Sequence, residues 1–263
     1  MKRGLNSLDI KLIAVMFMTI DHIGSTFYHS MGFSWLRMLG RIAAPLFLFV
    51  VINSAHHVNS KLRFAVKLYI AHVIVCIITL LCSTVFVDIF GNILQFSILS
   101  TFSYTVLLIW IIENIIYGIK KNKEPGKTIA FGCAMAGIII VPIVCRVVFP
   151  SEILAILIPD ILTIEYTPIF VIMGIIWYFA DNKVIQSIVL VFFSFISLIG
   201  SYFVNTQARF MFRAYFSHIQ FWMILAIFFM LLYNGERGKN VKKFFYIYYP
   251  VHYLILEALS NII

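Results

Sequence analysis

Nine long apolar runs divide this chain and constrain its fold more than any other feature. Runs of about 17–25 apolar residues are long enough to cross a bilayer as helices. The runs are 10–28, 38–55, 64–87, 93–119, 129–149, 161–180, 184–204, 216–233 and 244–262. Hydrophobic residues make up 62% of the chain and charged residues 12%, too few to cover a soluble fold. The sequence therefore predicts an all-α, polytopic membrane helical bundle with about nine transmembrane helices, in a single integral membrane domain over residues 1–263.

The positive charges fall mainly in alternate connections between these runs. If the N-terminus is cytoplasmic, fifteen of the twenty lysine and arginine residues face the cytoplasm and five face outward. Such an excess in short loops orients membrane proteins, so we expect the N-terminus inside and the C-terminus outside. This topology explains the net charge of +9 and makes the lipid bilayer, rather than a nucleic acid, the expected partner.

The five outward-facing cations are all arginine. They are Arg37, Arg41, Arg146, Arg209 and Arg213. Arginine forms bidentate pairs with carboxylates and phosphates, so its exclusive use indicates fixed partners. Arg41 opens the second run at about the depth of His22. There it could stabilise a developing oxyanion or bind an acidic acceptor, or it could contact lipid phosphate instead.

Two ionisable residues, Asp21 and His22, interrupt the first run in the stretch "TIDHIG". A carboxylate at the bilayer centre costs roughly 2.5–3.5 kcal/mol, so these side chains should face the bundle interior. Lys11 and His22 are eleven residues apart, which puts them on one helix face about 16 Å apart. Asp21 points about 100° away and should contact a neighbouring helix or an arginine. The stripe indicates either a functional site or a hydrogen-bonded packing network.

A second intramembrane histidine, His252, follows Pro250 in the last run, "YIYYPVHYLILEAL". Two such histidines could bind a metal, relay protons, or act as general base and acid. No pair of histidines four residues apart lies in a run, and the four cysteines show no paired spacing, so we expect no metal. Glu165, in "TIEYTP", could hold an amine or pair with an arginine.

The loop before the last run combines turn residues with cations. It contains Asn234, Gly235, Glu236, Arg237, Lys242 and Lys243. Glycines let a backbone approach a ligand closely, and the cations suit phosphates. Topology would explain the lysines, but it does not require the turn "NGERG".

These segments resemble one family. "IDHIG", "GRIAAPLFLF", "LLYNGERG" and "KKFFYIYYPVHYLIL" are similar to the TraX family of integral membrane proteins, which is associated with N-terminal acetylation of conjugative pilin. The resemblance covers roughly residues 8–57 and 231–256. The Lys11–His22 spacing is also similar to an arginine–histidine spacing in membrane sugar O-acyltransferases, with lysine replacing arginine. A broader likeness to lysosomal glucosaminide acetyltransferase follows from the same features.

The resemblance implies an acetyltransferase of the bacterial cytoplasmic membrane that uses cytoplasmic acetyl-CoA as cosubstrate. The acceptor would be an amine of a peptide or pilin N-terminus, or less readily a glycan hydroxyl, on the extracytoplasmic side. His22 would be the general base, with His252 as a second acid/base or the group that orients the thioester. Asp21 and Arg41 would complete the catalytic set, while Lys11 and the 234–243 loop would hold acetyl-CoA. Two alternatives remain, a proton-coupled transporter and a non-catalytic pilus or secretion assembly factor.

Overall fold

The computed structural model of the protein describes residues 4–27, 34–85, 97–121, 125–149, 151–162, 164, 166–203, 218–239 and 241–260. The helices are α1 (Ser7–Thr26), α2 (Ser34–Gly40), α3 (Ala43–His57), α4 (Lys61–Val85), α5 (Ile98–Lys121), α6 (Pro125–Val148), α7 (Glu152–Leu157), α8 (Thr167–Ala180), α9 (Lys183–Phe203), a 3₁₀ helix (Gln220–Leu225), α10 (Ala226–Leu232) and α11 (Lys242–Ser260). Apart from one isolated bridge between Leu5 and Tyr233, no strand occurs among these residues. The all-α prediction is confirmed.

Each of the nine predicted runs contains a helix. Five segments are long and apolar enough to cross a membrane by length and composition. They are Trp35–His57, Lys61–Cys82, Ile98–Lys120, Pro125–Val148 and Lys183–Tyr202. Three shorter apolar helices and the more charged α1 account for the other runs. The protein is thus a multi-pass membrane protein, while nine spans and the orientation of the termini stay predictions.

The helix in the sixth predicted run begins later than the apolar pattern indicates. The pattern starts at residue 161, but α8 begins at Thr167. Tyr166 has a left-handed backbone (φ 68), and Pro168 occupies the first turn, where its missing N–H costs nothing. The preceding Asp160 accepts from the backbone N–H of Leu162 at 2.9 Å, which stabilises a turn instead of helix.

The start of α1 is fixed by its own cap and by the loop before α11. The Asn6 side chain accepts from the backbone N–H groups of Leu8 and Asp9, and the Asp9 carboxylate accepts from Asn6 N at 2.9 Å, a capping box. The backbone N–H of Ser7 donates to Glu236 O at 2.8 Å. These contacts hold the 234–239 loop against the first turn of α1.

Contacts join one set of connections at one end of the bundle. His56 lies 3.7 Å from Asp181, Lys61 pairs with Glu113 at 3.1 Å, and Lys183 donates to the backbone carbonyl of Tyr233. The positive-inside pattern assigned the connections holding these residues to one side of the membrane, and the structure places them together. The bundle packs α1 against α2, α3 and α11, with α11 also contacting α4.

Candidate functional site

His22 and His252 meet between the first and the last helix. His22 Nδ1 on α1 lies 2.9 Å from His252 Nε2 on α11. The rings are stacked, with centroids 4.9 Å apart and planes at 18°. His252 is buried, with 6% of its surface exposed, and His22 is partly buried. Residues 230 positions apart therefore form one hydrogen-bonded pair.

The hydrogen-bond chain assigns a tautomer to each ring. His252 Nδ1 lies 2.8 Å from the backbone carbonyl of Tyr248, which can only accept, so Nδ1 carries the proton. In neutral His252 the other nitrogen, Nε2, is then an acceptor, and His22 Nδ1 must donate to it. His22 Nε2 is then the ring nitrogen that keeps its lone pair. This is the arrangement that a general base requires.

Tyrosine side chains fix the orientation of both rings. The Tyr248 ring stacks on His252 with centroids 5.0 Å apart, and the Tyr253 ring meets His22 edge-on at 5.6 Å. The Tyr248 hydroxyl lies 2.7 Å from Thr19 Oγ1, which itself donates to the Val15 carbonyl at 2.9 Å. Tyr248 is therefore the donor to Thr19. This hydrogen bond ties α11 to the same stripe of α1 that carries His22.

Asp21 faces away from the histidine pair, towards α2 and α3. Arg41 Nη2 donates to both Asp21 oxygens, at 3.1 and 3.2 Å, and Arg37 Nε lies 4.0 Å from one of them. The Asp21 and Arg41 side chains are only 13% and 12% exposed. This is the arginine contact expected for Asp21. Asp21 compensates the charge of Arg41, and the hydrogen bonds between them join α1 to the start of the second apolar segment. Arg41 also donates weakly to the Gln220 side chain at 3.5 Å.

A cavity of about 840 Å³ lies between α1, α3, α4, α5, α11 and the loop before α11. Ligand sites typically measure about 300–1,000 Å³. Five cations line it, Lys11, Arg63, Lys67, Arg237 and Lys239, and no Asp or Glu is among the described lining residues. Lys11 also lies over the Phe245 ring, with 6.0 Å between Nζ and the centroid. Five cations around a cavity whose described walls hold no carboxylate favour a polyanionic ligand.

The interior of the cavity is apolar and leads towards the histidines. Val15 and Met18 of α1 and Phe102 of α5 are among its walls. Tyr248 and Tyr249 also line it, and both rings contact His252, at 5.0 and 6.0 Å between centroids. The cavity therefore extends from a basic region to the immediate neighbours of the histidine pair.

Most of the "NGERG" turn fixes the conformation of the loop, and only part of it lines the cavity. The Asn234 side chain accepts from Glu236 N at 2.8 Å, and Gly235 has φ +85. Gly238 has φ +71, and a Cβ there would lie 2.3 Å from Asn6 Oδ1, so glycine is required for contact with α1. Among the described residues Arg237 lines the cavity, whereas Asn234, Gly235 and Glu236 support the loop.

The side chains of three predicted site residues lie outside the described part of the chain. Glu165 lies outside the described residues, and Lys242 and Lys243 open α11 with side chains outside the described part of the chain. Conversely, Arg63 and Lys67 line the cavity, whereas the sequence pattern counts them only among the fifteen cations expected on the cytoplasmic side. Their spacing of four residues, which places two cations on one helix face, was the available signal.

These features define a class, a multi-pass membrane protein whose basic cavity approaches a hydrogen-bonded histidine pair. The family follows from its sequence. The family model described as TraX protein matches residues 7–260, so the chain belongs to the TraX family. No curated protein and no solved structure matches the chain.

Proposed function

We propose that this protein is a membrane-embedded acetyltransferase that moves an acetyl group from cytoplasmic acetyl-CoA to an acceptor at the extracytoplasmic side. The observation that carries the proposal is the cavity, which joins five cations to the neighbours of His22 and His252. The association of TraX-type proteins with N-terminal acetylation of pilin favours an amine acceptor, at the N-terminus of a peptide or pilin, over a glycan hydroxyl.

The cavity suits the two chemically different parts of acetyl-CoA. Its phosphates carry several negative charges, which Arg63, Lys67, Arg237 and Lys239 would bind through charge-assisted hydrogen bonds. The long pantetheine arm would follow the apolar walls towards Tyr248. Lys242 and Lys243, next to Val241 of the lining, would add to the phosphate site. Glu165 remains the residue proposed to hold the acceptor amine.

His22 would act as the general base through Nε2. It would accept a proton from the acceptor nitrogen or oxygen as that atom attacks the thioester carbonyl. The C–S bond then breaks, and His22 returns the proton to the departing sulfur, so the products are acetylated acceptor and CoA. His252 would keep the Nδ1 proton of His22 in place throughout by accepting it in a hydrogen bond. Asp21 and Arg41 would hold α1 at the depth that this step needs.

Acetyl-CoA affinity of the purified protein in nanodiscs tests the proposal. Charge-assisted hydrogen bonds contribute roughly 1.5–3 kcal/mol each, so Arg63→Gln with Lys67→Gln should weaken binding at least about tenfold by calorimetry. Lys120→Gln is the matched control, because Lys120 lies at the same end of the bundle but not on the cavity. Unchanged affinity in the double variant, or equal loss in the control, would contradict the proposed phosphate site. A proton-coupled carrier would have no specific affinity for acetyl-CoA.

A further inference from the structure

A second and much smaller cavity lies beside His22. Its volume is about 10 Å³, and its walls include Val75, Thr79 and Ser97. Val75 and Tyr249 line this cavity and the large one alike. The small cavity is therefore adjacent to the large one, on the side of His22.

The size and walls of this cavity admit one small apolar group. A volume of about 10–15 Å³ in this measure accommodates a single water-sized group, comparable to a methyl. Thr79 Oγ1 already donates to backbone carbonyls, at 3.0 Å to Val75 and 3.0 Å to Cys76. Ser97 Oγ accepts from Leu99 N at 3.2 Å. Because Thr79 directs its hydroxyl proton to the backbone, the wall formed by Val75 and Thr79 offers no side-chain donor to a ligand.

We infer that this small cavity is the acyl subsite, in which Val75 and Thr79 limit the transferred group to two carbons. The inference rests on the proposed function. With the thioester carbonyl beside His22, the acetyl methyl would fill the cavity. A propionyl group would place one more carbon against Val75 and Thr79, which are only 8% and 6% exposed and belong to the same helix, α4. A single methylene in a closed pocket typically changes selectivity about 10–200-fold.

Enlarging the cavity should therefore extend the range of acyl donors. Val75→Ala removes two methyl groups, and Thr79→Ser removes one while keeping the hydroxyl that bonds to the backbone. Both variants should raise the propionyl-to-acetyl ratio about tenfold or more, in transfer to a synthetic peptide with a free N-terminal amine and in calorimetric affinity for propionyl-CoA against acetyl-CoA. Ile74→Ala is the control, because Ile74 is 51% exposed on the same helix and does not line the cavity.

Several outcomes would overturn the inference. The inference is wrong if the native protein transfers propionyl from propionyl-CoA as efficiently as acetyl from acetyl-CoA. It is also wrong if the two variants keep native acetyl transfer without any gain for propionyl-CoA, or if Ile74→Ala shows an equal gain. In these cases acetyl-CoA binding is intact and the proposed function stands. If the native protein binds no acyl-CoA, both the subsite and the proposed function are wrong.

Discussion

Removing the acceptor that His252 presents to His22 should slow acyl transfer while leaving acetyl-CoA affinity unchanged. His252→Leu eliminates the group 2.9 Å from His22 Nδ1. The Nδ1 proton then has no partner, and the ring gains freedom to rotate or to carry its proton on Nε2, where it cannot act as a base. The cavity cations are untouched by this change, so donor binding should persist.

The expected magnitude follows from the lost hydrogen bond. Leaving a buried donor unsatisfied costs about 1–3 kcal/mol. With about 1.36 kcal/mol for each factor of ten in rate, transfer should fall roughly 5- to 150-fold. His22→Ala sets the upper limit, because loss of a general base typically costs about 10²–10⁴-fold. The His252 variant should thus lie between the native protein and His22→Ala.

Two further substitutions separate tautomer control from simple packing. Gln at 252 can place its side-chain carbonyl oxygen near the position of Nε2 and accept from His22, so His252→Gln should transfer acetyl at close to the native rate. Asn is shorter and can reach only the backbone of Tyr248, the partner of the other nitrogen at 2.8 Å, so His252→Asn should resemble His252→Leu. If His252 served only in packing, Gln would not restore transfer while Asn failed to do so.

The assay combines three measurements on each purified variant. Transfer is followed with radiolabelled acetyl-CoA and a synthetic peptide with a free N-terminal amine, donor affinity by calorimetry, and the His22 tautomer by ¹⁵N NMR of labelled histidine. A well-folded His252→Leu protein with near-native transfer would refute the reasoning. Equal loss in the Leu and Gln variants, with the His22 tautomer preserved, would instead make His252 a group that touches the substrate.

Three other perturbations follow from the packing and the charges. Asp21→Leu should destabilise the protein by about 3–5 kcal/mol, because it removes the carboxylate that pairs with the buried Arg41 guanidinium. Asp21→Leu with Arg41→Leu should recover stability in thermal unfolding, and no recovery would argue against charge as the cause. Gly40→Ala should lower the melting temperature, because its Cβ would lie 2.2 Å from Asp21 Cβ, whereas Gly137→Ala, with nothing within 4 Å, should not; equal shifts would contradict this contact. On a cysteine-free background, Asn59→Cys should be labelled from the cytoplasm only, and labelling from outside would exclude the predicted orientation.

Apolar runs and charges predicted much of the helix framework because they report solvent preference directly. Every predicted run contains a helix, and the connections assigned to the cytoplasm meet at one end of the bundle. The all-arginine outer set was also informative. Arg37 and Arg41 lie against Asp21, and Arg146 pairs with Asp160 at 3.0 Å. Arg209 and Arg213 lie outside the described residues.

The contact between His22 and His252 could not be predicted from the sequence. Helical periodicity shows on which face of a helix a residue lies, but not which other helix packs against that face. His22 and His252 were each predicted to face the interior. Nothing in a 3.6-residue period states that α1 and α11 are neighbours, or that the two rings lie at equal depth. That information depends on packing between distant elements, such as the hydrogen bond from Tyr248 to Thr19. The tautomer assignment depends in turn on that register.

The count of cytoplasmic lysine and arginine residues was ambiguous in a similar way. The cations in that count can orient the protein in the membrane, stabilise contacts between helices, or line a ligand cavity. Lys61 is paired with Glu113, and Lys183 is bonded to the Tyr233 carbonyl, so their charges stabilise contacts between helices at one end of the bundle. Arg63 and Lys67 are also at that end, but they line a cavity whose described walls hold no carboxylate. All four count equally towards orientation, which depends on their number near the membrane surface. Only the last two keep their charge available to a ligand. Loss of Lys61 should therefore weaken the fold, whereas loss of Arg63 should weaken donor binding, and the two effects are separable by measuring stability and affinity on the same variants.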